Sequence, residues 1–198
     1  MGLELKYDLG QTPIDEEEKE ALIIESISIR FELDEFEQYN IQKATEWVLT
    51  SRFNYTQILQ IEFIQTLHRK MFDEVWKWAG KFRKSNKNIG IDKTLIQTHL
   101  QILLDDCKYW IENKVYNEDE IAIRFKHRLV SIHPFPNGNG RHSRLCADLI
   151  ISHVFDKALF SWGHSSQLDA KTVRSKYISA LHKADAGNIL PLIKFARS

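Results

Sequence analysis

S-I-H-P-F-P-N-G-N-G-R-H-S-R-L, residues 131–145, interrupts an otherwise helical pattern. Pro134 and Pro136 restrict the residues before them and resist helix, so the chain must break here. Gly138 and Gly140 permit turns that other residues resist. Residues 141–153 then read as a helix, with Leu145, Leu149 and Ile150 on one face. His133 therefore closes one helix, a tight loop follows, and a second helix opens with its first N–H groups unpaired, a ready anion site. Arg141 and Arg144 are three apart in that first turn and point to one side. Helix starts favour acids, so two arginines there make best sense when an anion balances them. A histidine beside such a nest can take a proton from a hydroxyl attacking a bound phosphate. These residue types in this order point to phosphate handling.

Outward from that loop, apolar residues recur at helical spacing. Thr12-Pro13-Ile14-Asp15 predicts a helix start, continuing to about residue 29. Leu33, Phe36, Ile41, Ala44, Trp47 and Val48 predict a second helix, and residues 55–76 a third. Residues 77–92 hold Gly80, Gly90 and several cations without helical periodicity, which predicts a short β-hairpin or an ordered surface loop. Residues 93–113 and 117–133 predict helices on the near side of the loop. Residues 169–184 and 189–197 predict helices after a connector. The fold class expected is an all-α bundle with a short β-hairpin flap.

The 198 residues suit one domain with a small appendage, divided here as 1–53 and 54–198. Lys+Arg and Asp+Glu balance at 27 each, so no global charge favours nucleic acid or a membrane surface. The cations Lys81, Arg83, Lys84 and Lys87 are expected to form a solvated edge. Two cysteines, Cys107 and Cys146, in apolar settings suggest a reducing, cytoplasmic compartment. No signal-peptide run opens the chain, Lys6 breaks a myristoylation pattern, and no stretch of about 18 apolar residues exists. His142, His153, His164 and His182 fit no zinc spacing. Trp76, Trp78 and Trp110 are expected as core and flap anchors.

H-P-F-P-N-G-N-G-R-H-S-R resembles the signature of Fic-domain (Fic/Doc) proteins, H-x-F-x-(D/E)-G-N-G-R-x-x-R. L-H-R-K-M-F-D-E-V-W-K-W-A-G-K-F-R, residues 67–83, is similar to the segment that precedes the Fic flap. The resemblance spans about residues 58–195, and chain length and details resemble the bacterial subgroup called mobile mystery protein B. It implies a protein adenylyltransferase that moves AMP from ATP to a Ser, Thr or Tyr hydroxyl and releases pyrophosphate. By position, His133 would be the general base and Phe135 an anchor of the loop. Gly138, Asn139 and Gly140 would form the anion hole. Arg141 would contact the α- or β-phosphate, and Arg144 the γ-phosphate. Lys84, Ser85, Asn86, Lys87, Asn88 and Ile89 would form a flap that aligns the target by strand addition.

The sequence departs from the signature at Asn137, where the family carries the acid that holds Mg²⁺ (or Mn²⁺). Magnesium prefers carboxylates, phosphates and water, and an amide oxygen brings no charge. Weaker metal binding with AMP transfer retained, a different phosphate-containing donor, or a nucleotide-binding regulatory or toxin-like module with weak catalysis all follow from that change. The family's inhibitory motif, (S/T)-x-x-x-E-(G/N), has a partial match in Ser28 to Glu32, followed by Leu33. This implies autoinhibition through a Glu32–Arg144 pair. Apolar residues around 155–162 are expected to support a homodimer.

Overall fold

The computed structural model describes residues 16–27, 29–164 and 168–198. Among them the helices are α1 (Glu16–Lys19), α2 (Arg30–Thr50), α3 (Tyr55–Ile58), α4 (Ile61–Phe72), α5 (Ile96–Glu112), α6 (Glu118–Ile132), α7 (Asn139–Leu149), α8 (Ala170–Asp185) and α9 (Leu190–Ala196). Their ends follow local chemistry. The Asn117 side chain accepts from the Glu120 N–H to start α6, and three acids fill its first turn. Asp169 starts α8 in the same way. α6 sends Ile121, Phe125, Leu129 and Ile132 into the core, where it packs between α5 and α7. α2 lies along α4, and α9 closes against α6 and α8.

The all-α expectation holds, and the differences from it lie where tertiary partners capture the backbone. Thr12 and Pro13 fall outside the described residues. The first helix ends at Lys19 rather than near residue 29. Beyond it, the Ile23 N–H donates to the Val75 carbonyl at 2.9 Å, and the Lys77 N–H to the Ala21 carbonyl at 2.9 Å. The expected third helix breaks at Gln60, whose extended backbone lets both Ile58 and Leu59 be buried.

α2 is rotated from the face expected for it. Its inward stripe is Leu33, Glu37, Asn40, Ala44 and Val48, while Phe36 is exposed. Asn40 clamps the end of α4. Its Nδ2 donates to the Lys70 carbonyl at 2.9 Å, and its Oδ1 accepts from the Glu74 N–H at 3.0 Å.

The hairpin is the second correction. Among the described residues no strand runs through 81–92, which is an ordered loop. Side chains satisfy its backbone in place of a ladder. Arg83 Nη1 donates to the Ser85 carbonyl at 2.9 Å, its Nη2 bonds the Ile91 carbonyl, and Asn86 Oδ1 accepts from the Lys93 N–H at 2.8 Å.

The connector after α7 also turns inward. Phe160 is buried, and Trp162 Nε1 donates to Asp148 at 3.0 Å, so of the apolar residues expected to support a dimer, Ala158 and Leu159 are left exposed. Burial pushes the Asp148 carboxyl up to about 6. No helix among the described residues is long and apolar enough to cross a membrane.

Candidate nucleotide-phosphate site

α6 ends at His133 in the left-handed region, with φ 54° and ψ 59°, an unusual place for a non-glycine residue. Its N–H donates to the Leu129 carbonyl at 3.2 Å, and its own carbonyl accepts from Arg83 Nε at 2.7 Å. The Arg83 N–H holds the next carbonyl, Pro134, at 2.9 Å. Gly90 lies so near that a Cβ there would sit 2.6 Å from the His133 Cβ. Burial lowers the imidazole to about 4, with the Arg83 guanidinium adding to the effect and a bond to the Val130 backbone opposing it. His133 is therefore a neutral imidazole at pH 7, able to accept a proton.

The loop beyond is fixed from inside. Phe135 is fully buried and stacks on His68, with ring centroids 3.7 Å apart. His68 Nδ1 accepts from the Gly80 N–H at 3.0 Å, so its Nε2 carries the proton and donates to the Asn137 carbonyl at 3.0 Å. Asn139 faces inward as well. Its amide bonds both the N–H and the carbonyl of Phe135, at 2.9 and 2.8 Å. Asn139 thus contributes its backbone, and not its side chain, to an anion hole. Asn137 Oδ1 accepts from the Gly138 N–H at 2.7 Å. Gly138 has φ +76°, and a Cβ there would lie 2.4 Å from the Phe72 ring.

α7 begins with no acid in its first turn. Its first rung is the His142 N–H to the Gly138 carbonyl at 2.9 Å, so the N–H groups of Asn139, Gly140 and Arg141 precede it. A Cβ on Gly140 would meet nothing within 4 Å, which marks open space at the helix start. Arg141 Nη1 pairs with Glu37 Oε2 at 2.5 Å, and its guanidinium lies 4.9 Å over the Phe72 ring. Arg144 lies 5.5 Å over the Tyr177 ring. Beneath them Lys126 is fully buried, its Nζ 2.5 Å from the Tyr177 hydroxyl, and burial lowers its amine well below the usual lysine range.

The loop and the start of α7 open on one groove of about 1140 Å³. His133, Asn137, Gly138, Asn139, Gly140, Arg141 and Arg144 all meet there, as their order in the chain predicts, and Asn88 and Ile89 join them from the loop. Lys84, Ser85, Asn86 and Lys87 do not line it. Lys87 is turned toward the N-terminal segment, its Nζ pairing with Glu18 at 2.7 Å with only 4% of the side chain exposed. With Arg83 buried as a clasp, the cationic edge at 81–87 presents Lys81 and Lys84 to solvent. Ser28 lies outside the described residues. Glu32 stands in the first turn of α2, and further along the same helix Glu37 accepts from Arg141 of α7.

Glu37, His68 and Lys126 escaped the reading of the sequence, and Arg83, expected on a solvated edge, is buried. A signal for Glu37 existed: a glutamate and an asparagine lie on the α2 stripe shared by Leu33, Ala44 and Val48, and buried polar groups need partners. For Arg83 the signal was its place in the W-A-G-K-F-R run.

A helical domain with a histidine and two arginines around a glycine-opened helix start has the makings of an anion site. Residues 58–151 match the model of the Fic/DOC family. Among curated relatives, the protein adenylyltransferase Fic of Aedes aegypti is 26% identical over 159 residues, which is 78% of this chain and 30% of that protein. The protein of the same name from Drosophila virilis is 28% identical over 141 residues, 69% of this chain and 27% of that one. The chain thus spans less than a third of the length of these relatives. In fold, BepC from Bartonella tribocorum, solved with AMPPNP, superposes with a TM-score of 0.65 at 16% identity, covering 92% of this chain and 97% of that one. Fic-1 of C. elegans superposes with a TM-score of 0.64 at 20% identity, covering 90% of this chain and 51% of that one.

The magnesium ion that the family resemblance implies does not fit the residues present. The loop has no carboxylate, and the Asn137 oxygen already accepts the Gly138 N–H. Among the described residues, no group of three His, Cys, Asp or Glu side chains is placed to hold a metal. An ion here would rest on phosphates and water.

Proposed function

We propose that this protein transfers AMP from ATP to a hydroxyl group of a target protein. The observation that carries the proposal is the neutral His133 beside the open start of α7, with Arg141 and Arg144 on the same groove. His133 takes the hydroxyl proton as the oxygen attacks the α-phosphorus. The bond from that phosphorus to the bridging oxygen breaks, and pyrophosphate leaves. The N–H groups of Asn139, Gly140 and Arg141 meet the charge that builds on the phosphate oxygens, and Arg144 holds the far phosphate. The apolar side of the groove, with Val173 and Tyr177, takes the base. The loop from Lys84 to Ile89 aligns the target segment beside His133. The names of the curated relatives and the AMPPNP bound to BepC support this reading.

The reading treats residues 1–53 as a regulatory extension of the 54–198 core and extends to a bacterial, cytoplasmic protein of the mobile mystery protein B type. Ser28 and Glu32 restrain activity in it. A second reading, a nucleotide-binding module with weak catalysis or another phosphate donor, is favoured by one observation, the Asn137 oxygen turned onto its own loop.

Incubation with α- and γ-labelled ATP separates the two. Label from the α-position alone, lost in His133→Ala and increased in Glu32→Gly, is the expected result. Label from the γ-position means phosphorylation, and no label in the parent or in Glu32→Gly leaves the binding module.

A further inference from the structure

Glu37 ties α2 to the phosphate site. Its carboxylate is buried, with 2% of the residue exposed. Oε1 accepts from Trp76 Nε1 at 2.7 Å, and Oε2 accepts from Arg141 Nη1 at 2.5 Å. Two features make this a mount rather than a chance contact. The indole N–H fixes the carboxylate's orientation independently of the arginine. Asn40, one turn further along α2, fixes the helix itself on the Lys70 carbonyl and the Glu74 N–H.

Arg141 is held on two sides, by Glu37 at one nitrogen and by the Phe72 ring beneath its plane. A guanidinium has five N–H donors. Among the described residues, its remaining donors meet no protein acceptor, and Arg141 lines the groove. A buried carboxylate is costly to strand, so the pair is a fixed part of the site and not a contact that opens freely.

We propose that Glu37 is a positioning residue: it sets the Arg141 guanidinium for phosphate, and α2 is thereby part of the nucleotide site. This rests on the ATP-binding part of the reading above and not on which bond of ATP is broken. Glu37 touches neither substrate nor reacting atoms.

The test is a pair of affinities, ATP and adenosine, titrated by calorimetry against the full chain, Glu37→Gln, Arg141→Ala and the double variant. Glutamine keeps the shape and can still accept from Trp76, so Glu37→Gln preserves the packing that Glu37→Ala would remove. A thermal melt checks that each variant is folded. Glu37→Gln is expected to weaken ATP about tenfold, the scale of one lost charge-assisted bond, and to leave adenosine unchanged. On the Arg141→Ala background it should have no further effect on ATP. Unchanged ATP affinity overturns the proposal, as does an additive loss in the double variant, which would mean Glu37 supports the fold alone. Tighter ATP binding overturns it as well, because Glu37 would then compete with phosphate for Arg141. The measurement stands apart from transfer: a parent chain that binds ATP without labelling protein fails the transferase reading and leaves this test intact.

Discussion

Asn137 is the residue on which the chemistry of the loop turns. Its amide oxygen closes a bond to the Gly138 N–H, and its carbonyl is held by His68, so the residue serves the loop's shape from both ends. An aspartate has the same reach and adds a charge. Asn137→Asp should keep the Gly138 bond with one oxygen and offer the other to a cation on the phosphates. We expect roughly tenfold tighter Mg²⁺ dependence of ATP binding, on the order of one charge-assisted contact. Titrating Mg²⁺ at fixed ATP measures it, and identical curves for parent and variant would refute it. At this scale, His133, Arg141 and Arg144 were legible because proline, glycine and arginine placement is local. Glu37 was not, because its role depends on the rotation of α2. The exposed Phe36 suggested one face, while packing against α4 selects another.

The start of α7 contains two glycines with opposite duties. Gly138 has a left-handed backbone and abuts Phe72, whereas Gly140 has an ordinary helical place and faces open space. Gly138→Ala adds about 1–2 kcal/mol for the backbone and about 1–3 kcal/mol for overpacking, so it should lower stability visibly. Gly140→Ala should melt like the parent yet bind ATP more weakly, since its methyl group enters the groove. Paired thermal melts and ATP titrations distinguish them, and the reverse pattern would contradict both roles. Elements with local signals, such as the Asn117 and Asp169 caps, were legible to within a residue or two. The stretch from 20 to 29 and the loop from 81 to 92 were not. Their backbone partners are Val75, Lys77 and the Arg83 side chain, which no local pattern announces.

His68, His133 and His142 are buried as neutral groups, and this sets the molecule's response to acid. Burial lowers His133 to about 4 and His142 to about 3, and pushes His68 well down. The unfolded chain protonates each near pH 6.5, so between that pH and the folded values the unfolded state binds more protons. Stability is therefore full above pH 6.5 and falls as pH drops toward 4. Asp148 acts in the other direction. Its carboxyl, raised to about 6, favours the folded state as pH falls through that value. A pKa moved by one pH unit corresponds to about 1.4 kcal/mol, so the histidines outweigh one aspartate by a few kcal/mol at about pH 4. Thermal melts from about pH 7.5 to 4 should show a steep loss below 6.5, and a constant melting temperature would contradict the buried neutral state.

Arg83 joins parts of the chain that sequence places far apart. One guanidinium grips carbonyls at 85, 91 and 133, and its own N–H grips 134. The loop and the histidine consequently share a single origin, like two marks on one ruler. A polypeptide laid along the loop would be measured from that origin, so the hydroxyl chosen for attack would be set by its distance along the strand rather than by the residues around it.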